Sequence, residues 1–596
     1  MIPSSKNKDF QNSDSCTVDT NVSIRMRDGT ELYADIYRPK QDAQCPVLLM
    51  RLPYGKHVPA YRSMYLDPIR AVGRGYAVVV QDVRGRHRSE GQFYPYINEA
   101  QDGYDTVEWC GSQPWSDGNV GMFGISYHGA TQWLAASEAP PSLKAIVPGV
   151  TSDDYYDSWT YLGGAFQLWW ISQWMLGFAE NDIGKGYTER PKKLEELDQM
   201  QNWLSDPLKM AKHLPLQDMT AFKGKSKEND LCGYYYDWLS HSTYDDYWKS
   251  FAPKEKFHNV NIPVLNIAGW HDIFIRGSIN CYQGMREKGG TELSRTQQHL
   301  IVGPWLHAPL PSPNAGQQFY GRSASGASID LHGMQLDWFD RWLKGDENGI
   351  DSQPTAYVFV MGKNEWQAEQ TWPPSDVDPI NYYLTSNGAA NSVRGNGKLS
   401  SNPPGNNEPT DHFKYDPMNP VPSLGGAYLY GIPGVFEVGV QDQQLVEDRE
   451  DVLVYSSGVL ENDLEIAGRV KLNLWAKTSA YDTDWTAKLL DVDEYGKSTN
   501  VCDGILRARF NKSLEKECFV NSNQVECFTI DLGFTAMLFT KGHRIRVQIS
   551  SSNFPAFDRN LNTGKGFGDS QIIVAEQTIF HDSKYPSFIN LPKINR

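Results

Sequence analysis

"NVGMFGISYHGATQWLAASEA", residues 119–139, runs from an apolar stretch through a glycine-flanked serine into a segment with helical spacing. The pattern is a strand entering a helix, with Ser126 at the junction. Gly124, two residues before the serine, lets strand and helix cross closely and holds the serine at the apex of a sharp turn. There its hydroxyl would stand beside the first helical N–H groups, that of Tyr127 foremost. These groups have no intrahelical partner and carry partial positive charge. The same residues also suit an N-cap, a role in which Ser accepts a hydrogen bond from the first turn. His128 follows Tyr127 and Gly129 comes only then, so the spacing departs from a simple Gly-x-Ser-x-Gly. Elbow and cap are both open on these residues alone.

Outward from this stretch, short apolar runs recur between helical segments: "CPVLLM" (45–50), "YAVVVQD" (76–82), "AIVPGV" (145–150), "IPVLNIAG" (262–269) and "QHLIVGP" (298–304). This is the rhythm of a parallel sheet with crossover helices. Residues 20–38 alternate around Asp28-Gly29, as a β-hairpin does. Residues 152–246, rich in Trp, Tyr, Leu and Lys without a strand pattern, read as a helical cap inserted between two strands of one sheet. From 352 onward, strand and turn patterns such as "PTAYVFVMG" and "HRIRVQISSS" predict an all-β sandwich of jelly-roll type. The expected organisation is an α/β domain over 18–151 and 247–351, a helical cap over 152–246 and a β-sandwich over 352–596.

At 596 residues the chain exceeds one hydrophobic core, since single cores stop growing near about 250–300 residues. A net charge of −16 without a basic cluster argues against nucleic acid or an anionic membrane as partner. The N-terminus lacks the apolar core of a signal peptide and no apolar run is long enough to span a membrane, so a cytoplasmic protein is expected. The eight cysteines show no metal-ligand spacing and read as reduced thiols, and neither metal nor cofactor is expected.

In an α/β-hydrolase the nucleophile, acid and base follow successive strands in that order. Asp272 comes directly after "IPVLNIAGWH" and His307 directly after "QHLIVGPWL", 35 residues apart, enough for one helix and one strand. Asp272 would fix the His307 tautomer, and His307 would take the Ser126 proton. His128 and His271, beside these motifs, are read as structural, with His128 facing away from Ser126.

These motifs resemble those of the cocaine-esterase/NonD family of serine hydrolases, related to X-prolyl dipeptidyl peptidases, glutaryl acylases and α-amino acid ester hydrolases. "RLPYGK" (51–56), "DVRGRHRSEG" (82–91), "GISYHG" (124–129), "GWHDIF" (269–274) and "GPWLH" (303–307) carry the resemblance in the first half. "FVMGKNEW", "YYLTSNGAA", "DLEIAGRVKLNLWAKTSAYDTDW" and "ISSSNFPAFDRNLNTG" continue it in the second. The resemblance implies an α/β-hydrolase fold and a triad of Ser126, Asp272 and His307. It also implies an oxyanion hole from the Tyr127 N–H and the Tyr54 hydroxyl. His87 stands where the family often has Gly, which puts the backbone of that loop in question.

Trp159, Trp169, Trp170, Trp174, Phe274 and Trp305 are candidates for a substrate pocket, although each could equally be packing core. Asp153-Asp154 and Asp245-Asp246 are read as surface or hinge charges rather than an acid and base pair. The α-amino acid ester hydrolases, as the resemblance has it, carry acidic residues shortly after the triad aspartate, whereas Ile273, Phe274 and Ile275 stand here. The expected activity is therefore hydrolysis of an ester or activated amide of an uncharged, apolar or aromatic acyl group, through an acyl-enzyme. The chain is expected to act on a small molecule, with a homo-oligomer left open as its assembly. Peptidase or acylase activity, or a non-catalytic sugar-binding or assembly role on the same fold, are the alternatives.

Overall fold

A computed structural model describes residues 16–40, 43–63, 65–186, 201–223 and 231–596. The first 15 residues, where no signal segment is expected, and 187–200 and 224–230 of the expected cap lie outside this description.

β1 (Cys16–Arg25) and β2 (Glu31–Pro39) form the expected hairpin, with Arg25 opposite Glu31 and Gly29 at φ 91 in the turn. The apolar runs become β3 (Cys45–Leu52), β4 (Ala77–Asp82), β5 (Ser116–Ile125), β6 (Leu143–Gly149), β7 (Val264–His271) and β8 (Gln298–Leu306). Every residue of β3, β4, β7 and β8 is buried, as strands covered on both faces must be. The sheet continues into β9 (Ala356–Val360) and β10 (Glu365–Glu369), in the order β1-β2-β4-β3-β5-β6-β7-β8-β9-β10. Neighbours pair in parallel from β4 to β9.

β9 and β10 carry the first sheet past the expected boundary at 351. "PTAYVFVMG" pairs in parallel with β8, Leu300 beside Ala356. All five residues of β9 are buried, the signature of a covered parallel strand rather than of a half-exposed sandwich strand.

The principal helices are α1 (Glu99–Gly111), α2 (Tyr127–Ser137), α3 (Leu168–Gly186), α4 (Ile275–Lys288) and α5 (Leu331–Phe339). Between β6 and β7, themselves paired, the chain inserts a largely helical stretch that includes α3. Alternation along β8 sorts its side chains. Ile301 and Trp305 join Leu336, Trp338 and Phe339 of α5 in one core, while Leu300, Val302 and Leu306 join Ile275 and Ile279 of α4 in another.

That second core runs on into the C-terminal domain, whose 11 strands are connected in one hydrogen-bonded network. Its longest strand, Leu464–Thr478, pairs with Glu526–Phe539 on one edge and with Ala575–Phe580 and Phe588–Ile594 on the other. The molecule is thus an N-terminal α/β domain joined through shared apolar packing to a C-terminal β-sheet domain. Among the described residues no helix is long and apolar enough to cross a membrane.

Candidate active site

β5 delivers the chain into α2 through Ser126, whose φ of 59° and ψ of −125° lie outside the helical and strand regions. A non-glycine residue held there costs on the order of 1–3 kcal/mol and persists only where its surroundings enforce it. Here the Ser126 N–H donates to Gly149 O (2.9 Å), and its carbonyl accepts from Gly129 and Ala130. Gly124, at φ +127°, could not carry a side chain, because a Cβ would stand 2.6 Å from that of His128. The Ser126 side chain makes no capping hydrogen bond, so the N-cap alternative fails on geometry and the hydroxyl is left at the elbow.

Asp272 and His307 follow β7 and β8, neighbouring parallel strands, and meet beyond their C-terminal ends. Asp272 Oδ2 lies 2.6 Å from His307 Nδ1, while Oδ1 accepts from the Phe274 N–H at 2.7 Å. Asp272 is fully buried and His307 nearly so, at 0% and 7% exposure. The second hydrogen bond pins the carboxylate, which in turn orients the ring with Nε2 outward. Among the described residues no hydrogen bond joins Ser126 to His307, a contact that in this chemistry often tightens only around substrate.

The other two histidines are engaged elsewhere. His128 Nδ1 bonds the Ile125 carbonyl at 2.6 Å, and burial pushes its pKa down to about 4. Its ring packs edge-on to Tyr54 and near Tyr65. His271 bonds the Tyr320 hydroxyl at 2.8 Å and is likewise pushed down to about 4 by burial. Both are therefore neutral core residues.

Tyr54 leaves β3 after Pro53 and stacks on Phe178 at 5.8 Å with nearly parallel rings. Trp174 Nε1 donates to its hydroxyl oxygen at 3.0 Å, which leaves the phenolic proton for another acceptor. Burial raises the Tyr54 pKa, the Trp174 bond opposes this, and the neighbouring Ser126 hydroxyl lowers it slightly. The phenol is thus neutral, a donor beside the serine. His87 keeps φ at +47°, so the loop retains the left-handed backbone that glycine adopts freely, and its ring packs against His57. Tyr54→Phe is expected to lower kcat about 100- to 1,000-fold with little change in KM, as for loss of one oxyanion donor. Steady-state kinetics decide this, and an unchanged kcat removes the role.

Tyr127 turns its side chain away from the serine. Its hydroxyl donates to Glu99 Oε1 (3.0 Å) and accepts from the Tyr96 N–H (3.1 Å), while Glu99 is paired with buried Arg51 at 2.8 Å. The side chain is anchored in the core, and the N–H at the start of α2 remains beside Ser126.

Trp159, Trp170, Trp174 and Phe274 form one aromatic layer. Trp159 stacks on Phe274 at 4.0 Å, Trp170 meets both, and Trp174 extends the layer to Tyr54. Phe274 sits edge-on to His307 at 5.3 Å, so the layer reaches His307 at one end and Tyr54 at the other. Trp169 faces the C-terminal domain, packed on Phe436 with its indole bonded to Tyr430 O. Trp305 corrects an expectation. It lies on the α5 side of the sheet, packed on Trp366 and donating to Ala324 O, because its β8 position shares a face with Ile301. Phe178 and Arg86 were missed. Phe178 stands four residues after Trp174 on α3, hence on the same face. Arg86 lies 4.6 Å over the Phe178 ring and donates to Pro53 O beside Tyr54, a placement no local pattern signals.

Asp153 and Asp154 are not surface charges. Both are buried, Asp154 paired with Lys254 and Asp153 within 3.5 Å of Asn280. Burial, reinforced by Asp154 and opposed by Lys254, pushes the Asp153 pKa up to about 7. The folded state then binds more protons than the unfolded state between about pH 4 and 7, so stability falls across that window and the full penalty applies above it. The difference from 3.8 corresponds to about 4 kcal/mol as an upper bound. Asp153→Asn is expected to raise the Tm at pH 8 and leave it unchanged at pH 4. Scanning calorimetry at both values checks this, and a lower Tm at pH 8 contradicts it.

Among the described residues no group of three or more His, Cys, Asp or Glu side chains is placed to hold a metal ion. Residues 28–309 match the family model of the X-Pro dipeptidyl-peptidase (S15 family), and residues 348–590 match that of the X-Pro dipeptidyl-peptidase C-terminal non-catalytic domain. The chain is 37% identical to cocaine esterase of Rhodococcus sp., covering 97% of this chain and 99% of that protein. An aminopeptidase from a marine sediment Thaumarchaeota archaeon superposes with a TM-score of 0.81 at 25% identity, covering 99% of this chain and 98% of that one. An α-amino acid ester hydrolase superposes with a TM-score of 0.76, also at 25% identity, covering 100% and 99%.

Proposed function

This chain belongs to the cocaine-esterase/NonD family of serine hydrolases, and we propose that within it Ser126, Asp272 and His307 cleave esters of uncharged aromatic or apolar acyl groups. That it is an ester-cleaving serine hydrolase follows from the family. His307, held by Asp272, takes the Ser126 proton as the serine attacks the ester carbonyl, and returns it to the departing alcohol. The Tyr127 N–H and the Tyr54 hydroxyl receive the developing oxyanion, and water then releases the acyl group along the same route. The helical insertion over 152–246 serves as the cap above this site, and the C-terminal domain, taken as a jelly-roll-like sandwich, walls its outer side.

The observation that carries the substrate class is the aromatic layer from Tyr54 through Trp174, Trp170 and Trp159 to Phe274 beside His307. An aromatic acyl group burying about 150 Å² there gains about 4 kcal/mol. An ammonium in the same place loses several kcal/mol of hydration with no partner. Of the acids just before Trp159, Asp157 accepts from the Gly163 N–H at 2.8 Å, and Asp153 and Asp154 are tied to Asn280 and Lys254.

The test compares kcat/KM for a phenylacetyl ester and the matching phenylglycine ester below the amine pKa. A preference of about 100-fold or more for the uncharged acyl group is expected, equivalent to about 3 kcal/mol. A preference for the aminated ester would overturn the substrate class and favour an ammonium-binding, peptidase-like site.

A further inference from the structure

The chain leaving β4 clasps the loop after β3 on both sides of Tyr54. The Val83 N–H donates to Leu52 O at 3.0 Å, Arg86 Nε donates to Pro53 O at 3.1 Å, and Asp82 accepts from the Lys56 N–H at 2.8 Å. Tyr54 thus stands between two held peptides. Two arginines of this segment have different work. Arg84 pairs with Asp28 at 2.7 Å and with Asp102 at 2.6 Å, whereas Arg86 is buried, 1% exposed, against the aromatic rings around Tyr54.

The Arg86 guanidinium lies 4.6 Å over the Phe178 ring and 5.1 Å over that of Phe93, both inside the range of cation–π attraction. Phe178 is the ring on which Tyr54 stacks, at 5.8 Å with planes 2° apart. One guanidinium therefore bears on Tyr54 twice, through the carbonyl of the preceding residue and through the ring that sets its plane. It stays protonated at any working pH, and a buried charge is poorly screened. Burial raises the Tyr54 pKa, and the Arg86 charge is among the influences that oppose it. A cation near the phenol makes its O–H a stronger donor, the more so as negative charge develops on the acceptor.

We propose that Arg86 is a positioning residue of the oxyanion hole, holding Tyr54 through Pro53 O and Phe178 so that the phenolic proton meets the developing oxyanion. The proposal rests on Tyr54 being an oxyanion donor. Such a donor must stand about 2.7–3.1 Å from where the oxyanion forms, and a tyrosine on a loop keeps that distance when its backbone and its ring are both fixed.

The test is a double-mutant cycle on the full chain: the parent, Arg86→Met, Tyr54→Phe and the double variant. The kcat for an aryl ester is counted per site labelled by a fluorophosphonate, so that misfolded chains drop out. Arg86→Met keeps an apolar stem beside Phe178 and removes the charge and the donor. It is expected to lower kcat about tenfold in the parent, with KM changed less than about twofold. In the Tyr54→Phe background the same change is expected to cost less than about twofold, since the group it positions no longer donates. Arg86→Lys, which keeps the charge without the planar fork, is expected to cost about threefold with the same dependence on Tyr54, and carries the test if Arg86→Met does not fold. An equal cost in both backgrounds would mean a general loosening of the site, and no cost in the parent would mean no role; either overturns the proposal. An unchanged kcat in Tyr54→Phe alone would overturn the oxyanion role of Tyr54, and this proposal with it.

Discussion

Ser126→Ala is expected to lower ester turnover by about 10⁴-fold or more while Tm stays within a degree or two of the parent. The activity falls because no other group described at the elbow can form the acyl-enzyme, and oxyanion donors alone leave only residual catalysis. The stability holds because the Ser126 side chain makes no capping bond and is already 9% exposed, so truncation removes only its contact with the Tyr54 hydroxyl and opens no large cavity. The strained backbone at φ 59° is equally strained for alanine, which keeps the elbow under the same load. Two measurements bear on this: kcat/KM with an aryl ester, and mass spectrometry of the chain after a fluorophosphonate. Adduct on any residue other than Ser126, or more than a few per cent of parental activity in the variant, would remove the serine from its role.

Asp272→Asn is expected to cost about 10⁴-fold in kcat at neutral pH with KM little changed. The carboxylate accepts at both oxygens, from the Phe274 N–H and at His307 Nδ1, in a fully buried position. The backbone bond holds an asparagine oxygen where Oδ1 was, which turns the amide nitrogen toward Nδ1. An amide N–H can only meet Nδ1 as an acceptor, so the imidazole proton moves to Nε2 and the base faces the serine already protonated. Geometry is preserved and the tautomer is wrong. A loss of less than about tenfold would mean that another acid orients His307.

Much of this arrangement was legible in the residues. Strands β3 to β8 could be read because parallel strands, buried on both faces, are continuous apolar runs. The order of Ser126, Asp272 and His307 could be read because each stands directly after such a run. Tyr54 came only through the family resemblance, since one tyrosine after a proline in a loop carries no local signal. That β9 pairs with the first sheet could not be read, because a five-residue apolar run looks the same in either sheet and only its partner distinguishes them. Asp153 reads as a surface or hinge charge because a carboxylate in a polar dipeptide gives no sign of its burial; it meets the Lys254 N–H through its carbonyl and Asn280 through its carboxylate, both more than a hundred residues away.

By itself the sequence determined that apolar runs β3 to β8 are strands, that a serine stands where one of them enters a helix, and which acid and base follow. Those features are written in local period and glycine placement, and local sterics enforce them. Only the tertiary structure decided that Trp159 and Phe274 stack beside His307 while Trp305 packs on the opposite face, and that Trp174 orients the hydroxyl of Tyr54. Apolar burial is non-directional, so composition says that a tryptophan is inside but not against what. Hydrogen bonds between residues 120 positions apart exist only once the sheet has brought their strands and helices together.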